Sequence, residues 1–98
     1  MLHELIHEIA MQKDDETAVD IKRHIKLHLG VPILRASNPE FGEKYDKVIK
    51  DSLTYEQKLL AMDLLPVTSM MDRDQFSKLL DAVIAHYQAQ GVELRPHG

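Results

Sequence analysis

The chain reads as an all-α protein, a compact bundle of four to five short helices, and three observations predict this. Apolar residues recur at three- and four-residue steps along most of the sequence. Helix-opening signals stand where those runs begin: Asn38-Pro39, Thr54 with Gln57, and Asp72 with Gln75. No stretch alternates at the strand period, and with no cysteine there is no disulfide framework to replace a helical core.

The first helix spans residues 2 to 12, with Leu2, Leu5, Ile6, Ile9 and Ala10 on one side and Glu4 and Glu8 on the other. Asp14 or Asp15 is placed to cap a second helix whose stripe is Ala18, Ile21, Ile25 and Leu29. Gly30 and Pro32 are expected to end it, leaving 31–37 as a semi-apolar connector. A third helix opens at Pro39 with Asn38 as its cap. Its expected buried side is Phe41, Tyr45, Val48 and Ile49, and its wet face pairs Glu43 with Lys47 and Asp46 with Lys50.

Thr54 and Gln57 form a capping box for a fourth helix running to about Leu65, where Pro66 closes it. This helix is apolar nearly all round, so it is expected to be the most buried element and to lie against the stripe of the last helix. That last helix, from about Arg73 to Gln90, is the best specified. Asp72 and Gln75 box its start, while Phe76, Leu79, Leu80, Val83, Ile84 and Tyr87 make its stripe. Gly91 can take the left-handed conformation that ends a helix, bringing Val92 back toward Tyr87. Residues 1–91 are thus expected to form a single domain and 92–98 a flexible C-terminal tail.

The formal charge is −4, unevenly placed. Residues 1–19 carry five acids and one base, 20–50 four acids and seven bases, and 51–98 seven acids and four bases. No apolar run is long enough to span a bilayer and no signal segment opens the chain, so the expected setting is cytoplasmic with no membrane partner.

One stretch resembles catalytic chemistry: His3-Glu4-Leu5-Ile6-His7 matches the HExxH pattern. On a helix, histidines four apart can share one zinc, with the glutamate acting as base on a bound water. His3 and His7 are therefore the metal candidates and zinc the candidate ion. His24 and His28 form a second such pair, but helix phasing in an antiparallel hairpin places both pairs on the same hand, so they follow each other around the bundle instead of meeting. The expectation is accordingly no cofactor and no catalysis, with weak zinc binding as the exception.

The locally basic middle third nominates Lys22, Arg23, Lys26 and Arg35 for phosphate contact with nucleic acid, a reading that ranks second because the whole chain is acidic. First ranks protein interaction. Leu27 lies nearly opposite the Ile25 stripe, and Met70 and Met71 occupy a short loop where flexible thioethers suit an adaptable surface. The expected function is a small non-catalytic interaction or regulatory module that binds another protein or itself as a homodimer, with the first two helices carrying the contact. A metal-dependent hydrolase ranks third.

Overall fold

The computed structural model describes residues 1–94, and among them there are five continuous helical runs and no strand. The first is α1 (Leu2–Gln12). The second comprises α2 (Ala18–Ile25), a π-helical segment (Lys26–Gly30) and α3 (Val31–Ser37). The third joins α4 (Pro39–Tyr45) to a second π-helical segment (Asp46–Lys50). Then come α5 (Tyr55–Ala61), a 3-10 turn (Thr68–Met70) and α6 (Arg73–Gln88). The radius of gyration is 13.5 Å, close to the roughly 13 Å of a compact domain of this length. The all-α bundle expected from the sequence is the fold observed.

Local chemistry sets the helix starts. Asp72 and Gln75 exchange side-chain and backbone hydrogen bonds of 2.9 and 2.8 Å, and Thr54 and Gln57 do the same at 2.9 and 3.2 Å. The Asn38 side chain accepts from the Phe41 N–H at 3.1 Å, with Pro39 in the first turn. The second helix departs from expectation: Thr17, boxed with Asp20, caps it in place of Asp14 or Asp15. Such a cap contributes about 1 kcal/mol over alanine.

The end of the second helix is the larger correction. Gly30 and Pro32 do not stop it, and 31–37 is helix instead of connector. The Val31 N–H bonds the Lys26 carbonyl five residues back, so the turn is wider than an α-turn. Pro32 follows directly after this wide turn, at the start of α3. Gly30 keeps ordinary right-handed geometry, and its role is close approach: a Cβ there would lie 2.8 Å from Val67 Cγ1.

This long helix runs between two apolar clusters. Ile21 and Ile25 face the first, shared with Leu2, Leu5, Ile6 and Ile9 of α1 and Leu79, Val83 and Tyr87 of α6. Leu27, Val31 and Leu34 face the second, shared with Phe41, Tyr45, Ile49, Met62 and Val67. Each fully buried aliphatic side chain contributes about 1.5–3 kcal/mol relative to exposure.

Three further expectations are revised. α5 is the least buried helix, with no buried residue, and it packs on α2 and not along α6, because the apolar surface of α6 is already covered by α1 and α2. Val48 points outward at 66% exposure while Phe41, Tyr45 and Ile49 are buried. Asp46 pairs with Arg35 at 2.9 Å instead of with Lys50.

The tail expected to be loose from residue 92 is held down at its start. Gly91 has φ +89°, and the Val92 and Gly91 N–H groups bond the Tyr87 and Gln88 carbonyls at 3.0 Å each, completing a Schellman motif. Val92 and Leu94 are buried against the first cluster, and the Gln12 side-chain amide brackets Glu93 with bonds of 2.9 and 2.8 Å to its backbone C=O and N–H. The rest of that expectation, residues 95–98, lies outside the described residues.

Candidate functional site

The residues nominated from sequence are dispersed. His3 and His7 are exposed on α1, their ring centroids 5.2 Å apart and nearly perpendicular. Among the described residues, no group of three or more histidine or acidic side chains is arranged to hold a metal. Leu27 is not available for contact: it is buried in the second cluster, because the helix that carries it is apolar on both sides and packed on both. Met71 bridges the two clusters, and Met70 is 43% exposed.

The basic candidates do not form a free positive face. Arg23 binds Asp63 through two hydrogen bonds of 2.9 and 2.6 Å, and this holds the Asp63 carboxyl below the usual carboxylate range. Arg35 is engaged by Asp46. Lys26 is buried and donates its Nζ to the Met62 carbonyl, just past α5. Burial, and after it the neighbouring Lys22 charge, lowers the Lys26 pKa. Lys22 alone of the four is exposed without an ion pair among the described residues.

Two features were not foreseen from sequence. One is an apolar surface. Leu60 on α5 and Leu64 in the turn after it are 56% and 88% exposed, with Tyr55 also open at the start of α5. Beyond Leu65 lies an apolar groove of about 400 Å³ between α4, its π-helical extension and the 3-10 turn, lined by Phe41, Tyr45, Val48, Ile49, Leu65 and Met70. The only sequence signal for it was the all-round apolarity of the fourth helix, which reads equally as deep burial.

The other is an imidazole cluster. His24 and His28 lie on successive turns with ring centroids 4.3 Å apart, and His86 of α6 stands 5.7 Å from His24. The Tyr55 hydroxyl is 2.7 Å from His28 Nε2. Burial lowers the His24 pKa, reinforced by the charges of His28 and His86 and opposed by Glu16. Burial and then His86 lower that of His28. The four-residue spacing of His24 and His28 was visible in sequence, but their third member was not, because His86 arrives only through the packing of α6 on α2.

Comparison with protein-family models, with curated proteins and with solved structures gives no match. No helix of the described residues is long and apolar enough to cross a membrane.

Proposed function

We propose that this chain is a non-catalytic protein-interaction module that binds another protein, foremost a second copy of itself, through the exposed apolar side chains of α5 and the turn after it. The observation that carries this reading is the exposure of Leu60, on a helix that buries nothing of its own, and of Leu64 in the turn that follows it. Large aliphatic side chains left in water on one short stretch of chain, with an open apolar groove beyond Leu65, are the kind of surface that association covers. The contact moves from the first two helices, where the sequence placed it, to α5, since the stripes of α1 and α2 are spent on the core. The cytoplasmic setting expected from the sequence stays part of the proposal. The nucleic-acid reading draws no support from Lys26, which is buried, or from Arg23 and Arg35, which are ion-paired.

Sedimentation velocity over a concentration series tests this on the intact chain and on a Leu60→Glu/Leu64→Glu variant. The expected result is a reversible dimer for the parent and a monomer of unchanged helicity for the variant. Identical sedimentation of the two at every concentration would overturn self-association through this face.

A further inference from the structure

α1 shows a helical histidine pair with nothing built around it: His3 and His7 are exposed, their rings stand nearly perpendicular, and no third ligand meets them among the described residues. The second pair has a different setting. His24 is half-buried and His28 exposed on successive turns of the long helix, with ring centroids 4.3 Å apart and planes inclined by 36°. Half-buried His86 arrives from α6, its centroid 5.7 Å from that of His24. Imidazoles that share one ion through metal–nitrogen bonds of about 2.0–2.1 Å at tetrahedral angles have ring centres about 5 Å apart. The two observed separations lie on either side of that spacing.

We propose that His24, His28 and His86 form a binding site for a divalent transition metal, zinc foremost, which ties the long helix to α6. With no cysteine in the chain, the donors at hand are imidazole and carboxylate, and an imidazole-dominated set suits zinc, nickel or copper over magnesium or calcium. The surroundings favour a cation. Glu16, half-buried in the α1–α2 connection, lines one groove with His24, and Asp20 and Glu56 line the same groove. Two bases offset part of this, Lys13 at 3.3 Å from Glu16 and Arg23 at 3.8 Å from Asp20. Ligation needs neutral imidazole, and burial holds the His24 and His28 pKa values below the ordinary one, so at neutral pH no proton has to leave.

The side chains are not closed on an ion: among the described residues no three ligands converge. Two ring nitrogens are engaged elsewhere, His28 Nε2 with the Tyr55 hydroxyl at 2.7 Å and His86 Nε2 with the Gln90 side chain at 3.0 Å. Tyr55 and Gln90 are both exposed, so water can replace either bond when the ring turns onto a metal. The backbones need not move. His24 and His28 share one helix face, and α6 is packed on α2 through Leu79, Val83, Ile21 and Ile25 of the first cluster, so closing the site takes side-chain rotation alone. The site stands whether or not α5 docks a partner, and it is tested without one.

Zinc chloride is titrated into the metal-free intact chain, with calorimetry reading affinity and stoichiometry and NMR of the imidazole rings reading which histidines respond. The expected result is one zinc per chain, ring resonances of His24, His28 and His86 that shift while those of His3 and His7 stay, and a thermal midpoint that rises with zinc concentration. His24→Gln/His28→Gln is expected to abolish binding. His86→Gln should weaken it by at least the roughly tenfold that loss of an outer-shell partner alone costs, and His3→Gln/His7→Gln should leave it unchanged. Far-ultraviolet circular dichroism without zinc checks that each variant keeps the parent's helicity. Absence of binding, binding that survives His24→Gln/His28→Gln, or shifts led by His3 and His7 would each overturn the site. So would binding indifferent to His86→Gln, which is the weak capture open to any helical histidine pair.

Discussion

The two apolar clusters flanking the long helix are built to different standards. In the first, Leu5, Ile9, Ile21, Ile25, Leu79 and Val83 are fully buried, and even the chain after α6 is pinned by a Schellman motif and by Gln12. In the second, full burial is reached by Leu34, Met62 and Val67, while Phe41, Tyr45 and Ile49 sit at the edge of a groove, two helices carry π-helical segments, and Val48, Leu60, Leu64 and Met70 face water. Single apolar side chains face water on the first side too, Met11 of α1 at 80% and Val19 of α2 at 53% exposure, so the difference lies in how completely each cluster buries its own members, and the second is the looser of the two.

The contrast fails if both sides respond alike to truncation. Leu79→Ala removes a side chain with 0% exposure, surrounded by α1 and α2, and is expected to cost near the top of the roughly 2–5 kcal/mol range for such changes. Ile49→Ala borders the groove, where neighbours can settle into the space, and should fall near the bottom of that range. Urea unfolding of both variants decides, and equal losses would show that the second cluster is as tightly built as the first.

A smaller effect probes where the long helix touches the second cluster. Alanine normally stabilises a helix over glycine by about 1 kcal/mol. At Gly30, however, the new Cβ would lie 2.8 Å from Val67 Cγ1, and Val67 has 0% exposure, so its side chain is enclosed by the core. Overpacking of this kind costs about 1–3 kcal/mol, so Gly30→Ala is expected to destabilise on balance, and adding Val67→Ala should recover part of that loss. A net gain in thermal stability for Gly30→Ala alone would mean that this side repacks freely.

Gly30 also marks the boundary between what could and could not be read from sequence. Helix starts were legible at Asn38, Thr54 and Asp72, because a cap and the residue it binds lie within three positions of each other. Gly91 was legible for the same reason. Gly30 and Pro32 spell a stop in any local reading, and only Val67, far along the chain, reveals that the glycine serves a close contact inside a continuing helix. The same limit hid the candidate site. The all-round apolarity of residues 59–65 shows that this stretch can be buried, but whether it is depends on which helix reaches the α6 stripe, and α1 and α2 occupy it. His86 joined His24 and His28 by the same long-range packing, whereas the HExxH pattern, complete in five residues, lies exposed on α1 with no third ligand among the described residues.

The smallest stability effect is the one that most sharpens the contrast. Leu60→Ser and Leu64→Ser remove apolar side chains that are already 56% and 88% exposed, so little hydrophobic stabilisation of the monomer is lost. Each is expected to fall within about ±0.5 kcal/mol of the parent, as surface substitutions do. Thr54 and Gln57 still box the start of α5, and Arg23 and Lys26 still hold its far end, so the helix has no reason to melt. Denaturant midpoints measured at low and high protein concentration separate the two contributions. A parent whose midpoint rises with concentration, beside a Leu64→Ser variant whose midpoint does not, assigns the difference to association. A loss of 2 kcal/mol or more at low concentration, the size expected of a core truncation, would instead mean that Leu64 is buried in solution, and the open side would have to be redrawn without it.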